Sequence, residues 1–386
     1  MPVSPAMAED LAAAVAMLYE DAERSILERL QAALAEGIDS PLWAEIKLRS
    51  IGDLRQAVEE VTDALQRDAD GAVRAALIEA YGRGRQAAVA ELGALDIGRE
   101  LHARRILPGA PAVDRLAASY AADTRPVYER VTRAVVDVYQ RIVTRVSSGP
   151  LLGTVTRRQA SQRALDAFAQ RGVGGFVDAS GRTWELAAYA EMAVRSVTAR
   201  AAVEGHIDAL AEIQVGLVIV SDAPLECPLC RPWEGEILTL SDRSGPHTLR
   251  MEDLDPPEQP RRGLLRRRGP APTVAVHVAG SLVEARAAGL FHPNCRHSLS
   301  AYLPGVTTRP PHHATPGTTY EDTQRQREIE RHIRAWKRRQ VAAMDDAARQ
   351  RAGAYVRKWQ KAAREHVAEH PDLRRKPQRE QIGAAR

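Results

Sequence analysis

The sequence predicts a mainly α-helical protein with a small α+β module, and three observations lead to this fold class. Most of the 386 residues repeat apolar side chains at helical spacing, whereas short β-branched runs occur in one later region. Aromatic residues make up only 4% of the chain, which favours long helices packed through Ala, Leu and Val. All three cysteines lie in the later, β-branched region.

Residues 1–150 are predicted to form an N-terminal helical region. Its first helix carries Leu27, Leu30 and Leu34 at positions i, i+3 and i+7, and Gly37 supplies its end. A second helix repeats the stripe with four apolar side chains, at Leu54, Val58, Val61 and Leu65. Stripes of this kind indicate packing against a core or a partner helix.

Two further helices complete this region. We expect the third over residues 71–92, loosened by Gly82 and Gly84, followed by a break in the Pro- and Gly-containing segment that begins at Leu107. The fourth has the clearest stripe and is expected to run from about Val127 to the Ser-Ser-Gly-Pro segment before residue 151. Its apolar positions are Val131, Val135, Val138 and Ile142.

A helical connector follows over residues 151–213, with helices expected near residues 156–170 and 183–213. Both carry helical spacing and are separated by Gly-rich segments. The connector therefore joins the N-terminal helices to the β-branched region.

Residues 214–305 predict the α+β module. Short β-branched runs are typical of strands, and three occur here, at residues 215–220, 235–240 and 273–278. Residues 281–288 predict a short helix that ends at Gly289. These elements would bring together two cysteine-containing segments that lie more than sixty residues apart.

The cysteine-containing segments predict a structural zinc site. Cys227 and Cys230 form a Cys-x-x-Cys turn, and Cys295 is flanked by His292 and His297. Zinc prefers four nitrogen or sulfur ligands in a tetrahedron, and five candidates compete for the four places. We expect three cysteines and one histidine to bind, with His297 ahead of His292. The remaining histidine would then hydrogen-bond a ligand from outside.

Other states of the cysteines stay open at this stage. A disulfide between Cys227 and Cys230 would leave the third cysteine over, and the sequence carries no disulfide framework. A redox Cys-x-x-Cys usually opens a helix, but Pro232 and Gly235 follow closely. Buried cysteines without a ligand also occur as small apolar residues.

The C-terminal tail, residues 306–386, is predicted to form basic helices. From Tyr320 to Arg386 there are 18 Lys or Arg and 10 Asp or Glu, a net charge of +8, whereas the whole chain carries +4. A basic helix with Ile329, Ile333, Trp336 and Val341 is expected first, and a second over residues 349–366. Such helices bind acidic proteins, phosphate backbones or anionic lipid.

One segment predicts a surface loop, and the N-terminus indicates the compartment in which the protein is made. Residues 255–268 are rich in Pro and Arg and predict a mobile surface loop, whose arginines would contact nucleic acid or an acidic partner if they are more than solvated charges. No apolar run approaches the roughly 18 to 20 residues that span a bilayer, and the N-terminus lacks a signal-peptide pattern. We therefore expect no membrane insertion, and synthesis in a cytoplasm.

Two alternative functions follow from the residues. A zinc-dependent hydrolase would need an open zinc position and a carboxylate base, for which Glu226, Glu234 and Glu236 lie nearby in sequence. Cysteine-rich sites are usually closed, and no His-Glu-x-x-His motif occurs, so we expect no catalytic residues. A nonspecific nucleic-acid-binding protein is the second alternative, because of the basic tail.

The flanks of the cysteine motif resemble a known family. Residues 227–238 read Cys-Pro-Leu-Cys-Arg-Pro-Trp-Glu-Gly-Glu-Ile-Leu, residues 289–297 read Gly-Leu-Phe-His-Pro-Asn-Cys-Arg-His, and residues 302–305 read Tyr-Leu-Pro-Gly. This pattern resembles minor capsid proteins of tailed bacteriophages, namely phage minor capsid protein 2 and the related Mu F-like head morphogenesis proteins. Weaker likeness at residues 189–195 and 324–334 extends it over most of residues 150–345.

The resemblance implies a structural role in the virion. Members of these families are low-copy head components associated with the portal vertex and with head assembly or DNA packaging and delivery. We accordingly expect the portal or the major capsid protein as partner, contact with packaged DNA, and a place in the capsid interior or at the portal vertex after synthesis in the host cytoplasm. Mu F-like proteins commonly end the second motif in Cys-Arg-Cys; the exchange to Cys295-Arg-His297 favours His297 as a zinc ligand.

Overall fold

A computed structural model describes residues 3, 7, 9–93, 111–148, 156–171, 176–177, 183–184, 186–223, 227–254, 272–292, 295, 297–309 and 317–382. The described chain is mainly helical with a small sheet module, as predicted. It divides into two compact units. The first comprises Met1–Glu9, Ala76–Leu116 and Arg195–Pro316, and the second comprises Asp10–Ala75, Ala117–Val194 and Gly317–Arg386.

The N-terminal helices begin as the apolar stripes predict. Helix α1 spans Glu9–Ala35, and its three striped leucines are fully buried. Gly37 follows with a positive φ of 59°, so it ends the helix in the conformation that glycine favours. The short helix α2, Trp43–Arg49, lies next, and Trp43 donates a hydrogen bond to the carbonyl of Leu34 over 3.1 Å.

The predicted second and third helices are one continuous helix, α3, over Ile51–Leu92. The prediction of a loosened segment at Gly82 and Gly84 was wrong, because packing outweighs the roughly 1 kcal/mol of helix propensity that each glycine loses. Within the first unit, Gly84 lies against the backbone of Ala202: a Cβ added to Gly84 would lie only 1.8 Å from the Ala202 carbonyl oxygen. Gly84 therefore permits close helix packing.

Helix α4 spans Pro111–Ser148 and begins before the predicted start near residue 127, with Pro126 inside it. Its stripe packs inwards, since Val131, Val135 and Ile142 are buried. In the second unit, Tyr19 of α1 places its hydroxyl 2.6 Å from that of Tyr120 and 2.5 Å from that of Tyr128. This buried triplet hydrogen-bonds α1 to α4.

Both helices of the connector form. Helix α5 spans Arg157–Arg171. Residues 183–184 were predicted to be helical but pair instead with residues 176–177, as the two-residue strands β2 (Thr183–Trp184) and β1 (Phe176–Val177). Helix α6 then covers Leu186–Glu212.

The first unit contains the predicted module. Its main sheet has the strand order β7-β4-β3-β8. The strands are β3 (Leu217–Val220), β4 (Ile237–Thr239), β7 (Gly280–Ser281) and β8 (Leu299–Ala301). The β3/β4 and β3/β8 pairs are antiparallel and the β4/β7 pair is parallel. Helix α7, Leu282–Ala287, begins with a Ser281 and Glu284 capping box and ends before Gly289, as predicted.

A hairpin of β5 (His247–Glu252) and β6 (Thr273–Val278) packs on this sheet. Val276 and Val278 join Leu217 and Ile237 in one apolar cluster. Strand β5 was not predicted, because its sequence His-Thr-Leu-Arg-Met-Glu places only two apolar residues in alternation. The predicted loop at residues 255–268 lies outside the described residues.

The two basic C-terminal helices form with the predicted break between them. Helix α8 spans Tyr320–Val341 and helix α9 spans Asp346–Glu369, and Ile329, Ile333, Val356 and Ala363 form the core of this hairpin. Part of the positive charge is internal: Arg338 is buried and donates to the carbonyl oxygen of Ala169 over 2.7 Å. Among the described residues, no helix is long and apolar enough to cross a bilayer.

Candidate metal centre

The Cys-x-x-Cys segment forms a tight turn close behind β3. The amides of Cys230 and Arg231 both donate to the carbonyl of Cys227 over 3.1 Å, and a short 3-10 helix, Arg231–Trp233, follows. A turn closed in this way brings two thiols two residues apart to the same side of the backbone.

The second cysteine segment packs directly on this turn. Gly289 has φ +113°, and a Cβ there would lie 3.2 Å from Cβ of Leu229, one of the two residues between the paired cysteines. The amide of His292 donates to the carbonyl of Gly289, and that of Cys295 donates to the carbonyl of His292. These tight turns hold His292 and Cys295 beside the Cys-x-x-Cys segment.

All five sequence-predicted residues come together in one cluster. The Sγ atom of Cys227 lies 3.0 Å from Nε2 of His292, and that of Cys230 lies 3.6 Å from Sγ of Cys295. The Nδ1 atom of His297 lies 3.3 Å from Sγ of Cys295. None of the three cysteines forms a disulfide, because bonded sulfur atoms lie about 2.05 Å apart.

Cys230 is common to two groups of potential ligands. Donor atoms of Cys227, Cys230 and His292 lie within 4.8 Å of one another, as do those of Cys230, Cys295 and His297. The second group is entirely buried. Either group could hold a metal ion.

A buried carboxylate contacts the ring nitrogen of His297 that faces away from Cys295. Oε1 of Glu234 lies 2.6 Å from Nε2 of His297, and the exposed fractions of these side chains are 7% and 2%. The sequence indicated Glu234 only as a base for a hydrolase. Its contact with His297 spans 63 residues, so no local spacing could have revealed it.

The electrostatics favour a thiolate at Cys295. The hydrogen bond between Cys230 and Cys295 raises the pKa of Cys230 and lowers the pKa of Cys295 to about 4. Burial lowers the pKa of His297, but its contacts with Cys295 and Glu234 outweigh burial and raise the pKa overall. A deprotonated cysteine is the form that binds a metal ion.

Comparison with known families decides the identity of the chain. Residues 3–368 match the family described as Phage minor capsid protein 2. The chain belongs to this family. The resemblance in the sequence is thereby confirmed, over a longer stretch than the motifs cover. No curated protein and no solved structure matches the chain significantly.

Membership of the phage minor capsid protein 2 family gives the site its setting. The protein is a structural component of a phage virion, and the family implies contacts with other virion proteins. Of the clustered thiols and imidazoles in this virion protein, Cys230, Cys295 and His297 are buried.

Within each of the two groups, the donor atoms of this minor capsid protein are spaced much as in a tetrahedral metal site. Zinc bonds of about 2.3 Å to sulfur and 2.0 to 2.1 Å to nitrogen imply roughly 3.8 Å between two sulfur ligands and 3.5 Å between sulfur and nitrogen. The observed separations are 3.6 Å between Cys230 and Cys295, 3.3 Å between Cys295 and His297, and 3.0 Å between Cys227 and His292. All differ from the tetrahedral values by no more than about 0.5 Å.

Proposed function

We propose that this protein is a structural head component at the portal vertex of a tailed phage, active in head assembly or in DNA packaging and delivery. Family membership carries this proposal. Zinc would hold the module of residues 214–305 as a rigid docking element for the portal or major capsid protein. The basic C-terminal hairpin would face packaged DNA.

The proposed zinc ligands are the buried group of Cys230, Cys295 and His297, together with Cys227 of the first group. Zinc binding would draw the sulfur of Cys227 towards the buried group. Ligand histidines commonly donate their second ring nitrogen to a carboxylate, and Glu234 occupies that position on His297. His292 would then donate a hydrogen bond to the sulfur of Cys227. Zinc would supply crosslinking of the two loops, which a small core lacks.

The same contacts argue against a zinc-dependent hydrolase. Oε1 of Glu234 faces His297 and also accepts a hydrogen bond from the amide of Ala223 over 3.4 Å. A carboxylate engaged by both groups is poorly placed to deprotonate a zinc-bound water. Of the other two candidate bases, Glu226 lies outside the described residues. Glu236 directly precedes β4, where its carbonyl accepts a hydrogen bond from the amide of Val220 over 3.1 Å.

The surface proposed to face DNA is one stripe of α9, formed by Arg357, Lys361 and Arg364. These residues follow one another at i, i+4 and i+7, and all three are exposed. Two cations of α8 are instead engaged inside the protein. Arg334 donates a hydrogen bond to the carbonyl of Arg379, and Arg338 donates one to the carbonyl of Ala169. The stripe on α9 is therefore the better candidate for phosphate contact.

Salt dependence of DNA binding tests this surface. Each phosphate contact contributes about −0.9 to the slope of log affinity against log salt concentration on duplex DNA. Replacing Arg357, Lys361 and Arg364 by alanine should weaken binding of the full chain to duplex DNA at low salt and make the slope shallower by roughly 2 to 3.

A matched control removes the same charge elsewhere. It replaces three exposed cations of the N-terminal helices by alanine, namely Arg29, Arg67 and Arg133. The control should retain the slope of the unchanged protein. Equal slopes in all three proteins would contradict DNA contact through α9.

Crosslinking in purified virions tests the location. The proposed role predicts crosslinks between residues 214–305 and the portal or major capsid protein. Crosslinks from this module to tail proteins alone would contradict a head role, and the family assignment would be unaffected.

A further inference from the structure

A second cluster of metal-binding side chains lies at the end of α9, in the second unit. His366, Glu369 and His370 form a His-x-x-Glu-His sequence. One ring nitrogen of each histidine and one carboxylate oxygen of Glu369 lie within 4.8 Å of one another. Oδ1 of Asp322, at the start of α8, lies 3.2 Å from Nε2 of His370. The carboxylate of Asp322 thus adjoins this group through its contact with His370.

Hydrogen bonds to backbone carbonyls orient both rings. Nδ1 of His370 lies 2.9 Å from the carbonyl oxygen of His366, and Nε2 of His366 lies 2.9 Å from that of Asp322. Carbonyl oxygens only accept, so these two nitrogens carry protons. In the neutral rings the lone pairs are left on Nδ1 of His366 and Nε2 of His370. Metal-binding histidines are oriented in this way in many proteins.

The second ring nitrogen of His370 faces a carboxylate oxygen. Oδ2 of Asp322 accepts hydrogen bonds from the amide and the hydroxyl of Thr319 in the capping box of α8. The other carboxylate oxygen, Oδ1, lies beside Nε2 of His370. A carboxylate oxygen and an imidazole nitrogen 3.2 Å apart can both bind one metal ion. The capping box therefore fixes an anionic oxygen beside a potential nitrogen ligand.

We propose that His366, His370, Asp322 and Glu369 bind one divalent transition metal ion of the zinc class. Two imidazoles with carboxylates suit Zn²⁺, Co²⁺ and Ni²⁺ better than Mg²⁺ or Ca²⁺, which prefer oxygen ligands throughout. Binding would draw the donor atoms to roughly 3.3 Å from one another. The ion would clasp the start of α8 to the end of α9 and so fasten the open end of the basic hairpin.

Cobalt titration of the full chain separates this site from the cysteine cluster. Thiolate ligands give Co²⁺ an intense ligand-to-metal charge-transfer absorption, whereas imidazole and carboxylate ligands do not. After metal removal under reducing conditions, the unchanged protein should take up one equivalent of Co²⁺ without this absorption, whether or not the cysteines bind another. Calorimetry with Zn²⁺ should record the same equivalent.

The variant His366→Gln with His370→Gln should lose that equivalent and keep any thiolate-bound cobalt. Asp322→Asn, which keeps an oxygen for the capping box, should weaken the site by at least about 10-fold. His332→Gln is the control, because it removes an imidazole of α8 that stacks on Trp359. Retention of the equivalent in the double variant, or its absence from the unchanged protein, would overturn the proposal and leave His370 as an ion-pair partner of Asp322. Circular dichroism shows whether each variant is folded.

Discussion

The close approach of α3 and α6 in the first unit gives the sharpest stability prediction. Gly84 and Gly82 lie two residues apart in α3, but only Gly84 meets another backbone. A Cβ at Gly84 would lie 1.8 Å from the carbonyl oxygen of Ala202, whereas a Cβ at Gly82 meets nothing within 4 Å. The contact is reciprocal, since a Cβ at Gly205 would lie 2.1 Å from the carbonyl oxygen of Tyr81.

The expected magnitudes follow from these distances. Real Cβ atoms do not approach other atoms within 3.0 Å, so Gly84→Ala requires the backbones to separate by at least about 1.2 Å. Overpacking costs about 1 to 3 kcal/mol, and the upper end applies because backbone atoms cannot rotate away. Alanine returns about 1 kcal/mol of helix propensity. Gly84→Ala should therefore lower the free energy of unfolding by about 2 kcal/mol, whereas Gly82→Ala should raise it by up to about 1 kcal/mol.

Urea denaturation followed by circular dichroism measures both variants on the same scale. The transition of the Gly84 variant should shift to lower urea with its slope unchanged, because the same surface is exposed on unfolding. A Gly84→Ala protein as stable as Gly82→Ala would refute the close helix packing.

Two further variants test the second unit. Arg338→Met should lower the free energy of unfolding by about 3 kcal/mol, because it removes a buried cation that donates a hydrogen bond to the carbonyl of Ala169, near the end of α5. The control Arg331→Met, on the exposed side of α8, should change this free energy by less than about 0.5 kcal/mol. Burial and neighbouring carboxylates raise the pKa of Glu20 to about 7, so the ionised side chain opposes folding once the pH exceeds its ordinary value of 4.5. Glu20→Gln should therefore stabilise the protein by up to about 3 kcal/mol at pH 8 and have no effect near pH 4. The exposed Glu28→Gln is the control. A gain in stability that does not depend on pH, or an equal gain in the control, would contradict the raised pKa of Glu20.

Local patterns account for what could be predicted from the sequence. The leucine stripe of α1 and the valine stripe of α4 predicted helices because each reports which face packs inwards. The β-branched run of β6 predicted a strand for the same reason. The loosened segment at Gly82 and Gly84 was predicted wrongly, since a local penalty says nothing of the helix that packs against Gly84.

The cysteine cluster was predictable because few other roles use soft ligands at this spacing. The contact between Glu234 and His297 was not predictable, because only the folded chain brings these two residues together. The second cluster was likewise predictable only in part. The His-x-x-Glu-His sequence that ends α9 is visible in the chain, but Asp322 lies 44 residues before His366 and is directed at the histidines by a capping box.

The zinc content of the full chain purified without chelators tests the central claim most directly. The unchanged protein should carry one more equivalent of zinc than Cys227→Ser, Cys230→Ser, Cys295→Ser or His297→Ala, and His292→Ala should match the unchanged protein. Equal zinc content in the unchanged protein and in the cysteine variants would contradict a zinc-stapled module. Loss of zinc in His292→Ala with retention in His297→Ala would reverse the roles assigned to the two histidines.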